Sequence, residues 1–297
     1  MNIAKKFAKA SIIMKGWKAL HSQTPAHNEE IIGIVFSKDR PLQLYALLES
    51  YFRHCEDPKT LHILYRASND AFANAYTQVK QYFDSNLIKF VEEQHFTKNF
   101  QSLLESTEEK YVFHLVDDNI FTSPFSFTDF LAIENRDTCL FSLRLGDHIS
   151  YSYTRQSNQS LPEFSREGQF LTWKLGTSKS DWDYPFSVDG NIYIKSEILA
   201  LSKLIEFKAP NSFEGKMTVF EILLRKRRGI CYPHSKLINI CLNRVQNEVK
   251  NIAGEYSSEE LLGFWNDGKK LDILKFEGFI AHSAHVEIDN LVLIDRH

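Results

Sequence analysis

Residues 31–37 read IIGIVFS, a short run of β-branched and aromatic residues from which the fold can be worked outward. Polar residues border the run at 27–30 and at 38–41. Its length and borders predict a buried strand followed by a turn. A helical pattern of apolar residues follows at 42–51, and Pro41 suits the first turn of that helix.

The same alternation continues to residue 116. Further strand-like runs lie at 61–65, 88–91 and 111–116, and helical patterns lie at 71–83 and 96–105. The order β-α-β-α-β-α-β predicts an α/β fold with a mostly parallel central sheet and helices on both faces. In such sheets, ligands bind beyond the carboxyl ends of the strands.

The second half of the chain has a looser pattern. We expect strands at 141–145, 192–194 and 238–242, helices at 198–204, 218–227 and 257–267, and a polar insert of loops or a hairpin at 150–180. These elements predict a mixed extension of the same domain. The expected domain is 27–297, with a nucleotide-binding half at 27–123 and an acceptor-binding half at 124–297.

Composition narrows the class of protein. The 297 residues have a net charge of −3 and no basic stripe across the chain, which argues against a nucleic-acid partner. The four cysteines form no C-x-x-C pair, so a reduced, cytoplasmic chain is expected. No apolar run reaches the ~18 residues of a membrane span.

Residues 1–26 predict a separate basic amphipathic helix. The apolar residues of its repeat are Ile3, Phe7, Ala10, Met14 and Trp17. Residues 1–22 also contain five lysines and no acid, and the lysines interrupt any signal-peptide core. Two interpretations stay open: peripheral contact with the inner face of a membrane through residues 1–22, or an ordinary helix docked on the domain.

The sharpest chemical signal is Asp117-Asp118-Asn119, which directly follows the apolar run 111–116. Carboxylates at the end of a buried strand are costly without a cation or hydrogen-bond donors. Mg²⁺ or Mn²⁺ often binds one or two carboxylates together with substrate phosphates. The pair therefore indicates a metal-held diphosphate, although acids also cap turns at such junctions.

This strand-VDDN arrangement resembles the D-x-D motif of GT-A glycosyltransferases, and the chain is similar to family 2-like nucleotide-diphospho-sugar transferases over most of 30–290. Four further segments carry the resemblance: FSKDRP at 36–41, YPFSVDGNIY at 184–193, PNSFE at 210–214 and NICLNRVQNE at 239–248. The chain departs from the pattern at Asn119, where many relatives have a third acid.

The resemblance implies a Rossmann-like GT-A fold and an enzyme that transfers a sugar from a nucleotide-diphosphate donor to an acceptor hydroxyl. Inversion, dependence on Mn²⁺ or Mg²⁺, a UDP-sugar donor and a glycan or glycolipid acceptor are the further expectations. Surface polysaccharide or glycolipid synthesis would be the setting.

The family places its donor near the ends of the first strands. The residues expected to contact the donor are Ser37, Lys38, Arg40, Arg66, Ser68, Lys98 and Asp117. Lys98 begins a predicted helix, whose free N–H groups favour phosphate. A solvated turn at 37–40, in which Asp39 pairs with Arg40, and a plain surface lysine at 98 are the alternatives.

Transfer requires a base to remove the proton of the acceptor hydroxyl, and a carboxylate is a suitable group. Glu214 is the first candidate and Asp189 the second, both by position in the family pattern, with structural roles as the alternative. The expected metal ligands are Asp117, Asp118, Asn119 and His285. Residues with a proposed place along the cleft are Trp173, Trp182, Tyr184, Asn243, Arg244 and Gln246.

Other functions remain open at this point. The chain lacks G-x-G-x-x-G after the first strand, which argues against a dinucleotide oxidoreductase, and it also lacks a P-loop. A nucleotidyltransferase would be expected to have glycines where the chain reads FSKDRP. A non-catalytic GT-A-like protein that binds glycans is the remaining alternative.

Overall fold

The structure of the chain is a computed structural model that describes residues 3–22, 28–243, 254, 256–288 and 290–297. The helices in these ranges are α1 Ile3–His21, α2 Pro41–His54, α3 Asp70–Tyr82, α4 Phe96–Ser106, α5 Phe127–Ile133, α6 Lys195–Ser202, α7 Pro210–Met217, α8 Glu221–Leu224 and α9 Ser258–Asn266. Short 3-10 turns lie at Ser180–Asp183, Thr218–Phe220 and Ile273–Phe276.

The strands in the described ranges are short. They are β1 Ile31–Lys38, β2 Leu61–Arg66, β3 Ile88–Glu92, β4 Tyr111–Val116, β5 Asn119–Phe121, β6 Thr138–Ser142, β7 Tyr151–Ser152, β8 Ser157–Asn158, β9 Ser165–Glu167, β10 Phe170–Lys174, β11 Asn191–Ile194, β12 Arg228–Cys231, β13 Leu237–Ile240, β14 Lys269–Leu271, β15 His285–Val286 and β16 Leu293–Asp295.

Among the described residues, the central sheet has the strand order β3-β2-β1-β4-β11-β6-β12-β10-β9. The first four strands run parallel, as the alternating pattern predicts. Side chains of β1 alternate between two cores. Ile31 and Val35 join the core under α2, α3 and α9, and Ile34 joins the core under α4, α6 and α7. The predicted α/β class with helices on both faces is therefore confirmed.

The strand next to β4 reverses direction. β11 pairs with β4 antiparallel, and Asn191 lies opposite His114. The start of β11, rather than its end, therefore lies at the carboxyl edge of the parallel strands. Gly190, with φ +64, makes the turn into the strand, and Leu237 fills the space that a Cβ would need. The segment before Gly190 is thus held at the ligand-binding edge.

Some expectations about the second half were wrong in detail. The predicted helix at 218–227 is a 3-10 turn followed by the single turn α8, and its last residues lead into β12. The predicted strand at 141–145 lies earlier, at Thr138–Ser142. The polar insert at 150–180 contains two hairpins, and β10 of the second one joins the central sheet through β12.

A second, smaller sheet stands beside the end of β4. It has the order β15-β13-β5, and its strands come from three distant parts of the chain. Its register places Asn239 next to both Asn119 and His285. Three polar side chains are thereby lined up across one row of the small sheet.

Helix α1 docks on the domain through one side only. Ile12 and Leu20 pack against the core under α4, α6 and α7, and Gly16 lies so close to Phe220 that a Cβ would collide with its ring. Phe7, Ala10, Met14 and Trp17 of the apolar repeat that predicts this helix are instead exposed to solvent. In the described part of the chain, no helix combines the length and the apolarity needed to cross a bilayer.

His114 is fully buried in the middle of β4, among aromatic rings that include Phe36, Phe100, Tyr193 and Phe213. Neither ring nitrogen has a hydrogen-bond partner among the described residues. Burial lowers the pKa of this histidine from 6.5 to about 3. The folded protein therefore holds it neutral, whereas the unfolded chain takes up a proton below pH 6.5.

We predict that His114→Phe reduces the loss of stability on acidification. Because only the unfolded chain binds the proton, this group alone lowers the free energy of unfolding by about 2 kcal/mol between pH 7 and pH 5. Urea denaturation of both proteins at the two pH values measures the difference. Parallel losses in the two proteins would contradict this account of His114.

Candidate functional site

The acidic pair closes β4 at the edge where the parallel strands end. Arg40 lies between the two carboxylates, and its Nη1 donates to Asp117 Oδ1 and to Asp118 Oδ2, each at 2.9 Å. All three residues are less than 10% exposed. One guanidinium thus bridges two nearly buried carboxylates, and the cluster keeps a net negative charge.

Local structure fixes Arg40 in this position. It stands at the start of α2, its backbone N–H donates to the hydroxyl of Tyr76 at 3.1 Å, and its Nη2 donates to the backbone oxygen of Asn243. The preceding residue, Asp39, has φ 54 and accepts from the N–H and the hydroxyl of Ser68. Asp39 therefore pairs with Ser68, not with Arg40 as one alternative expected.

Asp189 is held by the small sheet. Its Oδ1 accepts from the side-chain amides of Asn239 at 3.1 Å and of Asn119 at 3.4 Å, and its Oδ2 lies 3.4 Å from Nε2 of His285. Asn239 also donates to Asp118 Oδ1 at 2.8 Å. A single asparagine therefore joins Asp189 to the acidic pair.

The acids of the site have different proton affinities. Burial would raise the pKa of Asp189, but His285, Arg144 and Asn239 outweigh burial and lower it to about 2. The pKa of His285 is raised, because its bond to Asp189 outweighs burial. Burial raises the pKa of Asp118 to about 6, despite the opposing charge of Arg40. Asp189 is therefore firmly ionised.

Glu214 lies at the first turns of α7, after Pro210 has begun the helix. Its Oε1 accepts from the backbone N–H of Val188 at 2.7 Å, next to Asp189 in the chain. Burial and the negative charge of Asp189 raise the pKa of Glu214 to about 7. A carboxylate with this pKa accepts and releases a proton near neutral pH, as general base catalysis requires.

These groups face one cleft of about 700 Å³, a size typical of small-molecule sites. Its basic lining residues are Lys38, Arg40, Arg66, Arg144, Arg155 and Lys208, and its acidic ones are Glu93, Asp117, Asp118, Asp181, Asp189 and Glu214. Ser37, Tyr184, Asn239, Asn243 and His285 also line it. Six basic and six acidic residues therefore line the cleft, in addition to His285.

Several residues expected at the site lie outside the cleft. Ser68 holds Asp39, and Lys98 is exposed on α4, away from the cleft lining. Asn119 is fully buried, and its Oδ1 accepts from the N–H of Val116 rather than facing a ligand. Trp173 and Trp182 are buried against each other at 5.1 Å and form core. Arg244 and Gln246 lie outside the described residues.

The structure also identifies site residues that the sequence did not single out. Arg144 is only 1% exposed, lies 3.5 Å from Asp181, and acts electrostatically on both Asp189 and Glu214. Asn239 joins the acids. The only signal for Asn239 was its place in the segment NICLNRVQNE, and Arg144 had none.

The expected metal ligands do not come together as one set. Across the described ranges, no three His, Cys, Asp or Glu side chains converge so that they could hold a metal ion. His285 is bonded to Asp189 and Asn119 faces inward, which leaves Asp117 and Asp118. Two carboxylates are enough for Mg²⁺ or Mn²⁺ when phosphate oxygens complete the shell. One arginine against two carboxylates leaves negative charge for such a cation to neutralise.

A strand-end acidic pair that opens into a polar cleft of an α/β sheet is the arrangement implied by the GT-A glycosyltransferase resemblance. No family model matches the chain. The chain is 25% identical over 252 residues to the bifunctional glycosyltransferase pgtA of Dictyostelium discoideum, in a match covering 73% of this chain. This chain spans only 32% of that protein's length. The similarity confirms a distant relationship to glycosyltransferases.

Solved structures similar to the chain include TarS residues 1–349 of S. aureus in complex with UDP-GlcNAc. It has a TM-score of 0.46 and 14% identity, covering 77% of this chain and 62% of that one. The mannosyltransferase PcManGT of Pyrobaculum calidifontis, in complex with GDP-Man and Mn²⁺, has a TM-score of 0.31 and 13% identity, covering 51% and 52%.

We predict that Arg40→Met destabilises the fold by about 3–5 kcal/mol at pH 7, because it leaves two nearly buried carboxylates without their cation. Urea denaturation measures the loss. Adding Asp117→Asn and Asp118→Asn to Arg40→Met removes the uncompensated charges and should recover much of the stability. A triple variant no more stable than Arg40→Met would show that the arginine matters for packing alone.

Proposed function

We propose that this chain is a glycosyltransferase, which moves a sugar from a nucleotide-diphosphate donor to an acceptor hydroxyl. The observation that carries the proposal is the cluster of Arg40, Asp117 and Asp118 in the lining of the cleft. The relationship to pgtA supports the same reaction class. A glycan or a glycolipid is the acceptor class we propose, within surface polysaccharide or glycolipid synthesis.

The donor is proposed to lie against the strand ends of the half at 27–123. Ser37, Lys38 and Arg66 line this side of the cleft, and a UDP-sugar is the donor we expect. The acceptor is proposed to enter from the half at 124–297, whose residues Tyr184 and Glu214 also line the cleft. The two halves would then meet at the diphosphate.

A bound diphosphate requires positive charge beside it. The single charge of Arg40 does not even balance the two carboxylates of Asp117 and Asp118, so a further cation is needed. We propose that Asp117 and Asp118 hold Mn²⁺ or Mg²⁺ when the donor binds, as carboxylates and phosphates commonly do together. The cation would neutralise the charge that develops on the leaving nucleotide. Arg40 would keep the carboxylates in place before the donor arrives.

Glu214 is the proposed general base. The acceptor oxygen attacks the anomeric carbon, and a new glycosidic C–O bond forms. The bond from that carbon to the diphosphate oxygen breaks, and its electron pair leaves with the nucleoside diphosphate. Glu214 takes the acceptor proton, and one displacement of this kind inverts the anomeric configuration. Asp189, ionised and fully engaged, orients the site and is the weaker base.

The first test is a thermal-shift panel of UDP, GDP, CDP and dTDP, each with Mn²⁺ or with EDTA. A nucleotide in about 100-fold excess over its dissociation constant stabilises the fold by roughly 2.7 kcal/mol. We expect one of the four nucleotides, and UDP before the others, to raise the Tm clearly with Mn²⁺. The same nucleotide should raise the Tm much less with EDTA. No shift with any of the four would overturn the proposed donor class.

Asp118→Asn separates the metal from the nucleotide in the same assay. We expect this variant to lose the Mn²⁺-dependent part of the shift, because one of the two proposed ligands loses its charge. Lys98→Gln is the matched control, since Lys98 lies outside the cleft, and it should behave as the wild type. An unchanged Mn²⁺ effect in Asp118→Asn would refute the metal assignment.

A pH profile tests the base. Because the pKa of Glu214 is raised to about 7 and only its ionised form takes a proton, kcat should rise with pH through about 7. Glu214→Gln should lower kcat by about 10²–10⁴-fold and keep the nucleotide-dependent thermal shift. The readout is UDP released from a UDP-sugar, with water as the acceptor in place of the glycan.

Glu93→Gln is the control for this profile. Glu93 also lines the cleft, and burial likewise raises its pKa, but it lies on the donor side beside Arg66. Its substitution should leave the rise of kcat near pH 7 in place. A Glu214→Gln protein with normal turnover, or with a normal pH profile, would show that Glu214 is not the general base.

A further inference from the structure

Helix α1 has two distinct sides. Ile12, Gly16 and Leu20 face the domain, while a second apolar stripe runs along the outer side of the helix. Phe7, Met14 and Trp17 of that stripe are 72%, 60% and 51% exposed. Their spacing of seven and three residues keeps them on one face of the helix. The helix therefore presents large apolar side chains that the domain does not cover.

The surroundings of this stripe are basic. Lys5, Lys6, Lys9, Lys15 and Lys18 are all exposed, and residues 3–22 contain no acid. At about 100° per residue, Lys6 borders one side of the stripe and Lys18 the other. Apolar side chains between lysines are the pattern of a helix that lies in the interface of an anionic membrane.

We propose that the outer face of α1 docks the protein on an anionic lipid bilayer. Phe7, Met14 and Trp17 would enter the boundary between headgroups and acyl chains, and Lys6, Lys15 and Lys18 beside them would contact lipid phosphates. A second copy of the chain fits this face poorly, because Lys6, Lys15 and Lys18 would meet the same three lysines of the other copy. Charge thus selects the lipid surface.

Helix α1 packs against α8 and the turn Thr218–Phe220, which directly follow α7, and the first residues of α7 line the cleft. Burial and Asp183 raise the pKa of Glu221 in α8, while the charges of Lys9 and Arg155 act against that rise. Lys9 belongs to α1 and Arg155 lines the cleft. If the proposed function holds, on which this step rests, a bilayer under α1 would bring the cleft toward an acceptor anchored in lipid.

Vesicle co-sedimentation of the full chain tests the docking without any donor or catalysis. Vesicles of phosphatidylcholine alone are compared with vesicles containing phosphatidylglycerol in about a 7:3 mixture. We expect binding to the anionic vesicles, little binding to the neutral ones, and weaker binding in high salt because surface charges are screened. Loss of nucleotide binding in the thermal-shift panel would leave this result untouched.

Trp17 supplies a second readout. The other three tryptophans, Trp173, Trp182 and Trp265, are at most 3% exposed, so a change in emission on adding vesicles reports on Trp17. We expect a blue shift with anionic vesicles that Trp17→Phe abolishes. An unshifted spectrum in the presence of bound vesicles would place the contact elsewhere on the protein.

Substitutions distinguish docking through α1 from nonspecific adsorption by any exposed apolar residue. Phe7→Ser with Trp17→Ser should weaken partitioning at least about tenfold, because two large apolar groups no longer leave water. Leu274→Ser with Ile280→Ser is the matched control, since these residues are also half-exposed, at 53% and 54%, but lie outside α1. The control should bind like the wild type.

Three further outcomes would overturn the proposal. Equal binding to neutral and anionic vesicles would remove the role of charge, and unchanged binding of the Phe7→Ser, Trp17→Ser protein would remove the role of the stripe. A dimer mass in light scattering that this double variant loses would assign the face to self-association. Thermal melting of each variant verifies that the domain stays folded.

Discussion

The contact of Arg40 with Asp117 and Asp118 is the constraint on which the rest of the site depends. Two carboxylates at the end of a buried strand would repel each other and lose their hydration. Arg40 makes that arrangement tolerable, and it is available because α2 begins directly after the turn that ends β1. Because the buried acids need Arg40, this contact fixes the start of α2 against the end of β4.

The remainder of the site is assembled by strand register rather than by local sequence. β11 enters the sheet against β4 in the opposite direction, so Asp189 arrives at the edge from the start of a strand. The small sheet then lines up Asn119, Asn239 and His285 beside it. A one-residue slip of β13 would turn Asn239 away and separate Asp189 from Asp118.

The first half of the fold could be predicted because its signals are local. Each strand from β1 to β4 is a short and largely apolar run, and each helix between them has its own repeat. The acidic pair was visible for the same reason, since two acids directly follow an apolar strand. Glu214 and Asp189 could be named only through a resemblance to a family.

The second half was predicted only in part, because several of its elements are defined by distant partners. β12 is four residues long, and its place beside β6 depends on pairing across the sheet. Arg144 looks like any polar residue after a strand until the fold buries it. Lys98 was expected to contact the donor. Although α4 begins at the cleft with Phe96, Lys98 itself lies outside the residues that line the cleft.

The small sheet also determines when the site is complete during synthesis. Its strands end at residues 121, 240 and 286, so the last of them emerges well after the parallel sheet has all of its strands. A nascent chain stopped before His285 would have Arg40 and the acidic pair but an incompletely held Asp189. Completion of the pocket therefore requires β15, one of the last elements in the described part of the chain.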